Sequence, residues 1–216
     1  MKKKLLSLIL ASCALVSVSQ ARFFVGIEGG YTATIADGTG LTANSMRLVL
    51  PAVDTVFKAF DHGVKGYSVG GVFGSENFWG DYLGTRWGID VGYTSVYTKA
   101  TNVVSEFLNV GWSSDVLVNF VNTGAFSLGI FGGASTDYHY DMRASERCAN
   151  QKAIASHLLD FSWRAGVSAM LANHHRLEFL AKMYLGSLNI ATDRAVLGGV
   201  RVPVHSSLMA SYKFVF

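Results

Sequence analysis

The sequence predicts an all-β protein: a transmembrane, antiparallel, up-and-down β-barrel of about eight strands. Three observations predict it. The last thirteen residues, Val204 to Phe216, alternate apolar and polar and end the chain on an aromatic residue. The 216-residue chain is 50% hydrophobic and only 15% charged, with a mean hydropathy of +0.30, values high for a soluble domain. Yet beyond the N-terminus it holds no apolar run of the ~18 residues that a membrane helix needs. A closed barrel is the other structure that satisfies its own backbone in lipid.

The chain starts with a secretory signal over residues 1–21. Lys2, Lys3 and Lys4 form its basic start, Leu5 to Val18 its apolar core, and Ser19-Gln20-Ala21 a small-x-small site for cleavage after Ala21. A lipoprotein signal with Cys13 as the lipidated residue is the rival reading. It leaves a very short apolar core and no polar tether after Cys13. Cleavage after Ala21 removes three of the 18 basic residues and none of the 15 acidic ones. The mature chain, 22–216, is then net neutral, which gives no reason to expect a nucleic-acid partner. Cys148 is left as its one cysteine, without an intramolecular disulfide partner.

Alternation of period two runs along the mature chain. Phe23, Val25, Ile27 and Tyr31 share one face of the first strand, with Phe24, Glu28 and Thr32 on the other. A long connection follows near 35–65. Within it Val53, Val56, Phe57 and Phe60 recur at helical spacing after Pro51, which predicts a short amphipathic helix. The second strand spans about Gly66 to Gly74, with a turn from Ser75 to Tyr82. The third, Leu83 to Tyr97, alternates most clearly. The fourth carries Leu108, Val110, Trp112, Val116 and Val118, and ends in the turn chemistry of Asn119 to Gly124. The fifth begins at Phe126 and gives way to a second long connection near 137–156. The sixth runs from Leu159 to Leu171. Asn173-His174-His175 is a tight turn, and the seventh strand spans Leu177 to Leu185. A third connection near 186–202 leads to Pro203 and the last strand, where proline is tolerated. Turns after the second, fourth and sixth strands are short and the others longer, the pattern of a barrel with short periplasmic turns and long external loops.

The two faces of the strands differ. One carries Trp87, Trp112, Trp163 and most of the phenylalanines. The other carries glycines and isolated charges: Glu28, Arg86, Asp90, Asp115, Asp160, Arg164, Arg176, Glu178 and Lys182. Glycine weakens a strand unless something approaches it closely, and a crowded lumen supplies that reason. The large face therefore meets lipid. The charges point inward, where they must pair, and ~8 strands leave an interior that side chains just fill. Phe78, Trp79, Tyr82 and Phe126 fall at one membrane interface, with Tyr212, Phe214 and Phe216. Tyr31, Tyr93 and Tyr97 lie nearer the other.

The ending Leu208, Ala210, Tyr212, Phe214, Phe216 resembles the final strand of bacterial outer-membrane barrels, which their assembly machinery reads. Other segments resemble one family, the Helicobacter outer membrane proteins. They are Asn77 to Arg86 (an aromatic turn leading into Gly-x-Arg), Ser114 to Asn122, the glycine-rich Ser127 to Gly133, and Asn173 to Phe179 with Lys182. The resemblance covers the chain from Asn77 onward. It implies a barrel in the outer membrane with exposed loops, in a family that includes adhesins and porins. The large extracellular domain of the big adhesins is missing. No binding residue carries over.

Candidate chemistry is sparse. His205 and Ser207 lie two apart on one strand face, and lipid A deacylases use a His-x-Ser pair on a strand. Catalysis would also need a group to orient the base, and alternation turns this pair inward, away from lipid. Adjacent residues on a strand point apart, so His174 and His175 do not converge as metal ligands. Asp137, His139 and Asp141 could hold a metal weakly from the loop, but no ligand set of the zinc type is present. No metal, cofactor or enzymatic activity is expected. The expected partners are outer-membrane lipid and lipopolysaccharide, the barrel-assembly machinery, and a host or cell-surface ligand at the loops. Three functions follow: a structural or surface-interaction barrel with its lumen closed by paired charges, a small diffusion pore, or a lipid-modifying enzyme resting on His205 and Ser207 alone.

Overall fold

The computed structural model describes residues 21–36, 64–98, 103–142, 157–189 and 203–216. The secretory signal with Cys13, the amphipathic helix after Pro51, Cys148 and most of the long connections lie outside the described residues. Eight strands form: β1 (Arg22–Ala36), β2 (Val64–Trp79), β3 (Leu83–Thr98), β4 (Val103–Asn122), β5 (Phe126–Asp141), β6 (His157–Leu171), β7 (His175–Asn189) and β8 (Pro203–Val215). Each pairs antiparallel with its neighbours in sequence, and β8 closes the barrel on β1. That seam runs from Phe24 opposite Val215 to Ala36 opposite Pro203.

The barrel is apolar outside and polar inside. Trp87, Trp112 and Trp163 are exposed, as are Phe23, Ile27 and Phe179, while Arg86, Asp115, Arg164, Arg176 and Glu178 are buried. A soluble fold reverses this distribution, so the outer face is the lipid face. Inward glycines make room for lumen side chains. A methyl group at Gly166 would press on the Phe131 ring at 2.8 Å, and Phe131 packs with Leu117 and Leu180 at the centre of the lumen. A second apolar group, Phe24, Val72, Met170 and Val215, packs separately.

Several strands outrun their expected limits. β2 continues to Trp79, with Ser75, Glu76 and Asn77 opposite Trp87, Arg86 and Thr85; the turn is only Gly80 to Tyr82. β4 extends to Asn122 through an irregularity between Asn119 and Val121. β5 continues to Asp141, so Asp137, His139 and Asp141 are strand residues rather than loop residues. β7 reaches Asn189, with its register shifted opposite Phe161 and Ser162. The physical reason is shared: polar residues at strand ends resemble turn chemistry, but in an inside-out barrel they belong on the inner face. Phe78 also differs from expectation. It turns inward and packs against the Leu117–Phe131–Leu180 group instead of joining the interfacial aromatics.

The three short turns lie at one end of the barrel. Gly80 (φ 72°) and Gly124 (φ 83°) supply positive φ in two of them. The third, Ala172 to His174, places Ala172 (φ 49°) and Asn173 (φ 61°) in the left-handed region, and the His174 N–H closes it on the Leu171 carbonyl at 3.2 Å. Asn119 braces the first turn: its backbone N–H donates to the Tyr82 carbonyl at 2.7 Å, and its side chain reaches the Asp81 carbonyl at 3.4 Å.

Candidate functional site

The lumen collects nearly all the buried charge among the described residues. At its centre six side chains close a ring of alternating sign. Arg86 donates from Nη2 to Asp115 at 2.7 Å and from Nη1 to Glu178. Asp115 also faces Arg164 Nε at 3.2 Å, and Arg164 Nη2 lies 3.8 Å from Glu28. Glu28 meets Lys213 Nζ at 3.1 Å, and Lys213 returns to Glu178 at 2.5 Å. Each group therefore contacts two of opposite sign, and three cations balance three anions. The ring draws on six strands. Its Arg86–Glu178 link joins β3 to β7, which stand diametrically opposite in an eight-stranded barrel. The Arg86 guanidinium sits 4.7 Å from the centre of the Phe131 ring, and Lys213 5.7 Å from that of Phe24, contacts that favour cations.

A second pair lies toward the short turns. Arg176 binds Glu76 at 2.9 Å, donates to Ser168 Oγ at 2.7 Å, and covers the Phe78 ring at 5.9 Å. On the other side of the ring a third, looser layer forms. Lys182 binds Asp137 at 2.6 Å, and His139 Nε2 lies 3.1 Å from Asp160 Oδ2. His139 Nδ1 bonds Asn109 Oδ1 at 2.6 Å, Asn109 donates to Thr94 at 2.6 Å, and Thr94 to Ser68 at 3.1 Å.

Among the described residues, seven of the nine inward charges read from sequence pair with a lysine, arginine or carboxylate of opposite sign; Asp160 faces His139, and Asp90 forms no ion pair. Sequence reasoning left Glu76 and Lys213 out of the inward charges, and placed Asp137 and His139 in a loop instead of the lumen. Lys213 was legible, since it alternates onto the inner face of β8, and Glu76 would have followed from a longer β2. Ser207 faces the lumen, where its hydroxyl pairs with Thr32 Oγ1 at 3.0 Å. The side chain of His205 lies outside the described residues. Among the described residues no three His, Cys, Asp or Glu groups converge as a metal site.

The C-terminal strand is held on its outer face. Leu208, Ala210, Tyr212 and Phe216 point outward. His174 stacks on Phe214 with ring centroids 5.7 Å apart and bonds the Val215 carbonyl at 2.7 Å. His175 stacks on Tyr212 at 6.1 Å and bonds its hydroxyl at 2.8 Å. The Phe216 N–H donates to the Phe23 carbonyl at 2.8 Å.

A family model described as Helicobacter outer membrane protein matches residues 70–216. No curated protein matches the sequence. Among solved structures, Neisserial surface protein A (NspA) aligns at 11% identity and TM-score 0.50, covering 90% of this chain and 97% of that one. Ail, the attachment invasion locus protein of Yersinia pestis, aligns at 8% identity and TM-score 0.44, covering 92% and 99%. OprG from Pseudomonas aeruginosa aligns at 12% and 0.45, covering 90% and 96%. At such identities the likeness to NspA bears on the fold alone.

Proposed function

This chain belongs to the Helicobacter outer membrane protein family, and we propose that it is a sealed structural barrel that presents its long connections at the cell surface for interaction. The observation that carries this reading is the six-membered charge ring, which spans the lumen diameter and leaves no member singly paired. A diffusion pore needs a continuous water path. The Arg86–Glu178 link between opposite strands, with Arg86 over the Phe131 ring of the Leu117–Phe131–Leu180 group, supports the absence of such a path. Planar-bilayer recordings of purified protein test this: no unitary conductance is expected, and reproducible steps would overturn it.

In this reading Arg22 is the first mature residue, and both termini and the short turns face the periplasm. An epitope tag inserted within residues 143–156 should be detected on intact cells, and one at Thr123–Gly124 only after permeabilisation. The reverse pattern would invert the orientation. The reading is also non-enzymatic. The Ser207 hydroxyl is engaged by Thr32 inside the barrel, away from a lipid substrate, so lipid A acylation should be the same in cells with and without the protein.

A further inference from the structure

The lipid face changes character around the barrel at the end that carries the long connections. On β2, β3 and β4 its outward residues there are Lys65 and Tyr67, Tyr93, Ser95 and Tyr97, and Glu106. At the same end β6 and β7 present Leu159 and Leu185. Tyrosines at a membrane interface are general to membrane proteins. A lysine and a carboxylate among them, in one sector of the barrel, set that sector apart.

The two charges are held separately. Lys65 stands directly opposite Tyr97, and Tyr67 opposite Ser95; Ser95 in turn stands opposite Glu106. The Tyr67 and Tyr93 rings lie 6.3 Å apart at 49°, and Tyr93 engages the side chains of both Glu106 and Ser95. Lys65 is exposed and makes no ion pair among the described residues. It lies two strand spacings from the Glu106 strand, about 10 Å, with the hydroxyls of Tyr67 and Ser95 between. Toward the membrane centre the same strands expose Val69, Val91, Leu108 and Val110. From rim to centre this face therefore runs from charge through hydroxyl to branched aliphatic.

That order prescribes the chemistry of what lies on it. The exposed cation calls for an anion, the hydroxyl row and Glu106 for a body with several donors and acceptors, and the aliphatic slope for acyl chains. A phosphatidylethanolamine head does not fit: its phosphate and ammonium are two carbons apart, closer than the two strand spacings between the charges. A phosphorylated amino-sugar disaccharide bearing acyl chains fits all three levels. We infer that the outward face of β2–β4 binds the lipopolysaccharide of the outer leaflet. A lipid A phosphate lies on Lys65, the glucosamine hydroxyl and amide groups lie along Tyr67, Ser95 and Glu106, and acyl chains lie over Val69, Val91 and Leu108. This rests on the reading that the long connections face outward. It does not depend on the sealed lumen.

The test is native mass spectrometry of the purified folded barrel, titrated in detergent with bisphosphorylated lipid A, its dephosphorylated form and phosphatidylethanolamine. One lipid A should be retained per barrel, about tenfold more than either comparison lipid, the worth of one charge-assisted hydrogen bond. Lys65→Met should abolish that preference and Lys65→Arg should keep it. Phe179→Leu, on the outward face of β7, should leave it unchanged. Heat-dependent gel mobility identifies folded variants. Equal retention of the three lipids, or a preference indifferent to Lys65→Met, overturns the inference. So does a Lys65-dependent dimer that excludes lipid A, which would assign the face to a second copy of the chain. Binding in detergent is independent of orientation, so the two failures separate. Lost preference with surface-exposed long connections overturns the site alone. Epitope tags reporting the reverse orientation would place this face in the inner leaflet and overturn its assignment to lipopolysaccharide along with the orientation.

Discussion

A buried charge in this barrel is defined by the number of its partners. Glu178 is fully enclosed and serves two cations, Arg86 and Lys213. Glu178→Gln leaves each of them with one carboxylate. Breaking a buried pair by removing one side costs about 3–5 kcal/mol, because an uncompensated charge stays behind. A loss near that size is expected in urea unfolding of the vesicle-inserted barrel, followed by tryptophan fluorescence. Removing both sides with apolar groups should cost less. Arg86→Met combined with Glu178→Met is therefore expected to be milder than the sum of the single changes; strict additivity would refute the ring as a coupled unit. Alternation assigned Glu28, Arg86, Asp115, Arg164 and Glu178 to one face of their strands from sequence alone. It did not say who pairs with whom. Arg86 meets Glu178 across the barrel, and that contact depends on strand stagger, which has no signature within any single strand.

At the scale of the strand, what was legible was the middle of each element and what was not was its end. Tryptophans opposite glycines and charges located β3 and β6 plainly. β2 and β5 were cut short because Ser75-Glu76-Asn77 and Asp137 to Asp141 carry loop-like composition, although each continues the alternation onto the inner face. The last strand was read along its full length, but not the clamp of His174 and His175 on it, which two residues at a turn cannot announce. Deleting Phe216 removes the N–H that closes on Phe23 and the ring that meets Phe214 edge-on at 5.2 Å. It should sharply lower the amount of heat-modifiable barrel in the outer membrane. Normal levels would refute a role for this residue in assembly. Replacing His174 and His175 by alanine removes two stacked contacts, each worth about 0.5–1.5 kcal/mol, and leaves the C-terminal aromatic residues in place. That variant should reach the membrane in near-normal amounts but unfold at lower urea. If it fails to assemble, the turn itself is part of the assembly signal.

In the whole molecule, volume and charge are two separable ways of closing the same lumen. Eight strands leave an interior that side chains fill, and here the filling is layered. The Glu76–Arg176 pair lies toward the short turns, a neutral ring with the Leu117–Phe131–Leu180 group crosses the middle, and the Lys182–Asp137 and His139–Asp160 layer lies beyond. If charge pairing alone sealed the barrel, neutralising the Arg86–Glu178 link would open it. If volume seals it, size is what matters. Arg86→Met with Glu178→Met keeps the bulk and discards the charge, whereas Arg86→Ser, Glu178→Ser and Phe131→Ala together discard both and leave a gap that water can enter. The layered packing favours volume. The methionine pair should remain silent in planar bilayers, and the small-residue triple variant should give discrete conductance steps whenever it folds, as judged by gel mobility. Conductance from the methionine pair would show that the ring seals by electrostatics. Silence from a folded triple variant would place the seal in a different layer of the lumen.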